Sequence, residues 1–529
     1  MPILVVHNLE KSFADNHLLR SMSFHIEEGE RVGLVGINGS GKTTLMRILA
    51  GLDSCDSGQV QLRKQAVSGL LRQYPDPAQD VQAIIESGYD PELAACMNQI
   101  GLEADPLLHS ETLSGGERTR LSLARFLAAR FDLMLLDEPT NNMDLNGIQA
   151  TIWQLRQHQG SMMIVSHDRY FLDQMVTRIL ELENGEIHEF HGNYSDYREQ
   201  KKLQYEAHLH QYEAGRKEQK RIEQAIRQTR QWADKAHRKS TEKDKSGLRM
   251  GVKENKRVKA KKMDQKVKSD TKRLEKKVQQ LGRKPAAEAS VRFEINQAGR
   301  QGKRILEASD LSKKYAENTL FTDSYFYLQR GEKAAVFGPN GCGKTTLVRL
   351  MQKAEQPDGG ELWISSGTNP YYLNQQVDDL PDEVLLKDYL IDRLGRLDGQ
   401  NRAVLDQMGF SQRQLGQTLK SFSLGERMKI KLLEPILTHR DFLILDEPTN
   451  YLDLHTRETL EHALEEYDGT LMVISHDIYL LQKICDKAIV FEQGHIKRYE
   501  DSFADYLQKT KFNQNTEDTV NSVQGIDSI

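Results

Sequence analysis

The nine residues GINGSGKTT at 36–44 return as GPNGCGKTT at 338–346, and this recurrence constrains the fold more than any other feature of the chain. LLDEPTN at 135–141 recurs as ILDEPTN at 444–450, and SHD at 166–168 recurs at 475–477. The first pair lies 302 residues apart and the other two lie 309 apart. Gln73 matches Gln375 at the shorter offset and Ser114 matches Ser423 at the longer one. The whole drift therefore falls between those two positions, where the second copy is longer. Collinear matches with one localised insertion mean two homologous domains, roughly 1–197 and 304–508.

Each copy reads strand, glycine loop, helix: RVGLVG before TTLMRILAG in the first, KAAVFG before TTLVRLM in the second. LMLLD, MMIVS, FLILD and LMVIS are short apolar runs of the kind that become strands buried on both faces of a parallel sheet. Helical stretches separate them, so each copy is expected to be an α/β domain.

The spacing GxxxxGK[ST] after a strand is that of a phosphate-binding loop, in which glycines let backbone N–H groups turn inward around phosphate oxygens. Gly36, Asn38, Gly39, Ser40, Gly41 and Thr44 form the first loop with Lys42 and Thr43, and Gly338, Asn340, Gly341, Cys342, Gly343 and Thr346 form the second with Lys344 and Thr345. Lys42 and Lys344 are expected at the β- and γ-phosphates, and Thr43 and Thr345 on Mg²⁺. Asp137 and Asp446 end apolar strands and are expected beside the metal. Glu138 and Glu447 follow directly, placed to orient or deprotonate an attacking water.

LSGGE at 113–117 sets this chain apart from other phosphate-loop proteins, and with it the chain resembles the ATP-binding-cassette superfamily. That resemblance implies two cassettes facing head to tail, with Mg²⁺ and ATP held at each site. It implies that ATP on Lys344 is sealed by Ser114, Gly115 and Gly116 within the first signature, which Glu117 completes. ATP on Lys42 is sealed by Ser423 and Gly425, with Glu426 completing the second. Gln73 and Gln375 match the Q-loop that also serves the metal, His167 and His476 the switch histidine, and Asp144 and Asp453 the D-loop. Phe13 and Tyr315 stand where an aromatic ring stacks on adenine. The second signature departs from the pattern, reading FSLGE at 422–426 with Leu424 opposite Gly115. If that position needs a positive φ, leucine is costly there, and the Lys42 site is expected to hydrolyse more slowly.

No apolar run approaches the ~18 residues of a membrane-spanning helix, and the N-terminus lacks the pattern of a secretory signal. Cys55, Cys96, Cys342 and Cys485 are scattered without CxxC spacing, as expected of reduced thiols in a cytoplasmic protein. The net charge of −5 conceals an asymmetry. Between Arg198 and Lys284 stand 29 lysines and arginines against 12 acids, a surplus of 17 positive charges that leaves the remainder at −22. This segment is rich in helix formers, and Val267, Leu274 and Leu281, with Val278, follow a heptad seam. A break falls at KSGLRMG, 245–251, where two glycines flank a short apolar and basic tip. The pattern predicts two helical arms of about 35–40 residues, each reaching roughly 50–60 Å, with a tip at about 240–260. A one-signed basic projection on an acidic protein is the footprint of a phosphate-rich partner, and RNA fits better than duplex DNA because no groove-reading motif is present.

Tandem cassettes without membrane spans, joined by a charged helical linker, resemble the ABC-F translation factors. GNYSDYREQK at 192–201 and RVKAKKMDQK at 257–266 resemble the linker ends of that family. Only 39 residues separate Gln73 from Leu113, too few for the helical arm that housekeeping members insert there. A short arm with a long linker resembles the antibiotic-resistance branch of the VmlR, Vga and Lsa types. The fold this implies is α/β, with two P-loop cassettes joined by a long α-helical hairpin over 198–303 and a short polar tail at 509–529. The function it implies is ribosome protection. A monomer with intramolecular cassette pairing binds the E site of the bacterial ribosome, contacting rRNA and the P-site tRNA. The tip around Leu248, Arg249 and Met250 then displaces a lincosamide, pleuromutilin or streptogramin A. A housekeeping factor for stalled ribosomes, a DNA-associated ATPase and a transporter subunit are the competing readings.

Overall fold

Period-two burial explains the architecture. In the computed structural model the described residues are 1–13, 16–72, 115–129, 131–141, 143–241, 258, 261–262, 265–274, 276, 303–315, 318–373, 380–438, 440–450 and 452–509. They form two compact units, Met1–Ser195 with Ala289–Ile529, and Asp196–Glu288.

The first unit contains both cassettes. In the N-terminal one, β1 (Pro2–Phe13), β2 (Asn16–Glu27) and β4 (Ser57–Leu62) make a small antiparallel sheet. A six-stranded sheet runs β5 (Ser68–Leu71), β6 (Leu133–Asp137), β7 (Ser161–Val165), β3 (Arg31–Val35), β8 (Arg178–Glu183) and β9 (Glu186–His191), parallel except for the last pair. Helices α1 (Lys42–Leu49), α2 (Gly115–Ala128), α3 (Leu145–Gln157) and α4 (Arg169–Met175) connect these strands.

The C-terminal cassette repeats this plan, with helices α6 (Lys344–Met351), α7 (Leu386–Leu394), α8 (Gly399–Gln407), α9 (Leu424–Leu437), α10 (Leu454–Glu465) and α11 (Ile478–Ile484). Its small sheet is β10 (Arg304–Tyr315), β11 (Asn318–Gln329) and β13 (Gly359–Ile364). Its main sheet runs β14 (Pro370–Leu373), β15 (Phe442–Asp446), β16 (Thr470–Ile474), β12 (Lys333–Phe337), β17 (Lys487–Glu492) and β18 (His495–Tyr499). One bridge, Tyr325 to Lys497, merges the two into a single nine-stranded sheet. Alternate residues of each central strand enter different cores. Phe442, Ile444, Met472 and Ile474 pack with the antiparallel strands, while Leu443, Leu445, Leu471 and Val473 pack with helices on the other face. A strand apolar at every position is therefore required, which is what LMLLD and FLILD provide.

The strand order places β3 between β7 and β8, and β12 between β16 and β17. Each glycine loop thus opens at the carboxyl edge of a central strand, where ligands bind in open α/β sheets.

The second unit is dominated by α5, Tyr194–Thr241, a helix of 48 residues and about 72 Å. It is longer than the arm expected from the sequence, and no proline interrupts it. Residues 265–274 are helical as well and lie alongside it, with Arg273 within 3.8 Å of Glu218. Ile226 is buried, and Ile222 and the seam positions Val267 and Leu274 are half-buried. The tip residues Leu248, Arg249 and Met250, the seam positions Val278 and Leu281, and the tail beyond 509 lie outside the described residues.

Candidate nucleotide sites

Each glycine loop ends at a residue whose backbone only glycine adopts readily. Gly41 has φ 106° and Gly343 φ 107°, and each begins the helix that follows. A Cβ on Gly41 would press within 2.9 Å of Leu18, so conformation and space both demand glycine. Lys42 folds back over its loop, its Nζ donating to the carbonyls of Gly36 (2.8 Å) and Ile37 (3.0 Å). Lys344 does the same with Gly338 and Pro339, both at 2.8 Å. Burial lowers the Lys42 ammonium, opposed by the nearby carboxylates Glu138, Asp453 and Asp137.

Thr43 donates its hydroxyl to Asp137 Oδ2 at 3.0 Å, and Thr345 to Asp446 Oδ2 at 3.4 Å. Burial raises both aspartates, and these hydroxyls and the adjacent lysines pull them back. One hydroxyl and one carboxylate are a sparse donor set, which suits Mg²⁺ because that ion keeps waters and phosphate oxygens in its shell.

Glu138 and Glu447 take left-handed backbone, φ 55° and 51°, at a cost of about 1–3 kcal/mol each. Their amides stay tied to the neighbouring strand, donating to Val165 and Ile474 carbonyls at 2.8 Å. The strain turns the chain at the end of the strand and is shared by both copies. Desolvation pushes the Glu138 carboxyl up to about 7 despite the His167 amide, which donates to it at 3.2 Å. Glu447 is pushed up to about 8 by burial and by Asp446. The His167 and His476 rings lie 3.5 and 3.6 Å from these carboxylates and are held neutral, at about 3 and about 4, chiefly by burial and then by the adjacent lysines. A neutral imidazole beside a carboxylate of raised pKa can orient a water or a phosphate oxygen and accept or return a proton.

The two cassettes meet through exchanged aspartates. Asp144 caps α3 by accepting from Gly147 N, and its other oxygen accepts from Asn340 N of the second glycine loop at 3.1 Å. Asp453 caps α10 (Leu454–Glu465) and accepts from Asn38 N of the first loop at 3.2 Å. Burial raises both carboxyls, but these hydrogen bonds prevail and hold them below the usual range. Lys429, on α9 (Leu424–Leu437), adds to the effect on Asp453, as Arg120 on α2 does for Asp144. A cavity of about 400 Å³ extends from Asn340–Thr346 and Tyr315 past Glu447 and His476 to Glu138, His167 and Arg457. Glu138 Oε1, His167 Nδ1, Glu447 Oε1 and His476 Nδ1 are buried here, and Ser40 Oγ in the first glycine loop, without a hydrogen-bond partner among the described residues. A triphosphate with its metal and water fits such a set, since it brings both donors and acceptors.

The structure thus brings together both glycine loops, both aspartate–glutamate pairs, both histidines and both D-loop aspartates. Tyr315 lines the cavity, whereas Phe13 is 55% exposed with Lys11 Nζ 5.5 Å from its ring centroid. Gln73, Ser114 and Gln375 lie outside the described residues, as do the side chain of Glu117 and the surroundings of Gly115 and Gly116. The strain expected at Leu424 is absent. Leu424 is the first residue of α9, in helical backbone, just as Gly115 is the first of α2, so no left-handed conformation is asked of it. Ser423 caps α9 in a reciprocal box with Glu426, its hydroxyl 2.8 Å from Glu426 Oε2.

One cluster escaped the motif search. Arg169 of the first cassette is buried against Glu461 and Asp477 of the second, and Arg457 donates to the His167 carbonyl at 2.9 Å. Tyr194 donates to Glu458 at 3.0 Å and Tyr479 to Asp173 across the same boundary. The repeat offset carried a signal. The first-copy counterparts of Arg457 and Glu461 are Ile148 and Ile152, and the second-copy counterpart of Arg169 is Ile478.

An ABC transporter family model matches residues 19–141 and 321–450, and a second ABC transporter model matches 180–246. The ribosome protection protein VmlR of Bacillus subtilis is 37% identical over 500 residues, covering 94% of this chain and 88% of its own. The energy-dependent translational throttle protein EttA of Escherichia coli is 30% identical over 553 residues, covering 94% and 93%. Among solved structures, an archaeal ribosome recycling factor, aABCE1, in complex with the stalk protein aP1 superposes with a TM-score of 0.62 at 18% identity. That match covers 93% of this chain and 89% of the other.

Proposed function

Because the chain belongs to the ABC-F family of tandem ATP-binding-cassette ATPases, we propose that it acts on the bacterial ribosome and protects it from antibiotics of the peptidyl-transferase centre. The observation that carries this reading is the 37% identity to a ribosome protection protein over 94% of the chain. The basic segment 198–284 supports it, since 17 excess positive charges on a segment that begins with a long helix suit an rRNA surface.

The chemistry is assigned to this chain's own residues as follows. Loop amides with Lys42 and Lys344 hold the phosphates of two ATP molecules. Thr43 with Asp137, and Thr345 with Asp446, hold Mg²⁺, joined by Gln73 and Gln375; the ion supplies charge neutralisation at the β- and γ-phosphates. Glu138 and Glu447 align and deprotonate the attacking water, and His167 and His476 keep that geometry. Ser423 and Gly425 close the Lys42 site, and Ser114, Gly115 and Gly116 close the Lys344 site, as the exchanged Asp144 and Asp453 contacts support. The closed, ATP-bound protein docks in the E site against rRNA and the P-site tRNA. The tip near Leu248, Arg249 and Met250 dislodges a lincosamide, pleuromutilin or streptogramin A, and hydrolysis releases the protein. No described helix is long and apolar enough to cross a membrane.

Expression in a susceptible bacterium, with inhibitory concentrations measured across ribosome-targeting drugs, tests the proposal. Severalfold protection against these classes is expected. No shift for any drug, despite good expression, would favour the housekeeping role to which the similarity to EttA points. Failure of the Glu138→Gln, Glu447→Gln double variant to sediment with ribosomes in ATP would remove the ribosomal assignment altogether.

A further inference from the structure

The interface has a pseudo-twofold arrangement in its aspartates but not in its arginines. Arg457 stands four residues after Asp453 on α10, and it is 14% exposed. Its Nε donates to the Leu452 carbonyl at 3.0 Å, beside the D-loop aspartate that accepts from Asn38. Its Nη1 crosses to the first cassette and donates to the His167 carbonyl at 2.9 Å. The same guanidinium lies 3.5 Å from Asp477, which also accepts from Arg169. One side chain therefore ties the second cassette's D-loop to the first cassette's switch loop, and both belong to the Lys42 site. Its charge acts on Glu138 and on His167 there. At the other site the equivalent position is Ile148, a buried residue with no donor to offer. The His476 ring is positioned there by a different contact, with Asn340 Oδ1 at 3.1 Å.

We propose that Arg457 is a positioning residue for hydrolysis at the Lys42 site alone, holding His167 in register with Glu138, so that this site depends on the opposite cassette in a way that the Lys344 site does not. The proposal rests on the reading of Glu138 and Glu447 as the water-activating residues of their sites.

Single-turnover ATP hydrolysis at each site separately decides it. Glu447→Gln leaves the Lys42 site active and Glu138→Gln leaves the Lys344 site active, each with and without Arg457→Met. Arg457→Met is expected to slow the Lys42 site about tenfold, as loss of alignment does. ATP half-saturation is expected to stay within about twofold, because the residue touches no phosphate. The Lys344 site should change less than about twofold, which also shows that the variant is folded. Arg457→Lys, which keeps a donor, should recover part of the rate. Equal losses at both sites, or no loss at the Lys42 site, would overturn the proposal. If Glu447→Gln turns over no faster than the double glutamine variant, the assignment of Glu138 itself falls, and this proposal falls with it.

Discussion

The two nucleotide sites agree within a few tenths of an ångström where the chain folds on itself and in the exchanged aspartates, and diverge in the ion pairs where the cassettes meet. Gly41 and Gly343 differ by one degree in φ, the lysine-to-loop bonds differ by no more than 0.2 Å, and Glu138 and Glu447 share the same left-handed turn. Across the boundary, Arg457, Glu461 and Arg169 form ion pairs on one side, while Ile148, Ile152 and Ile478 occupy the matching positions. Loop geometry answers to local sterics and to phosphate chemistry, which are identical in both copies. An interface answers only to complementarity with its partner, so the two halves are free to solve it differently.

The broadest test of the shared half is removal of the two glutamates. Glu138→Gln with Glu447→Gln should lower steady-state ATPase by at least about 100-fold. If either single variant alone abolishes turnover, the sites are not the equivalents their geometry implies. The divergent half is tested by Arg169→Ile. This leaves Glu461 and Asp477, 4% and 8% exposed, with longer ion pairs to Lys483 and Arg457 and, for Asp477, the Leu480 amide that it caps. A loss of about 3 kcal/mol in unfolding free energy is expected. Arg169→Ile combined with Glu461→Ile, copying the apolar half, should recover most of that loss in thermal unfolding. No recovery would mean that the ionic half is more than a packing alternative.

Smaller effects sharpen the signatures. Ser423→Ala removes the cap of α9 and should cost about 1 kcal/mol. Any further slowing confined to the Lys42 site would place that hydroxyl on nucleotide. Leu424→Gly should alter the Lys42-site rate less than about twofold, because helical backbone is already available to leucine. A tenfold acceleration would show that side-chain bulk, not backbone strain, limits that site.

The motifs of both sites were legible in the sequence because each rests on short-range chemistry. GxxxxGK[ST] encodes a turn and a phosphate cradle within nine residues, and an aspartate at the end of an apolar run lands at a strand's carboxyl edge. The unusual backbone of Glu138 and Glu447 was not legible, since nothing in DEPTN distinguishes a left-handed glutamate from a helical one. The expected strain at Leu424 was misplaced for the same reason, because a helix N-terminus and a glycine turn look alike in LSGGE. By itself, then, the sequence determined that there are two homologous α/β cassettes, which residues form their glycine loops, and where the positive charge lies. Only the tertiary structure decided which groups oppose one another across the boundary. Arg457 lies 290 residues from His167 in the chain, and no local pattern specifies a partner at that distance. Such a pairing forms only when two finished surfaces bury their charges together, and that is a property of the packed molecule.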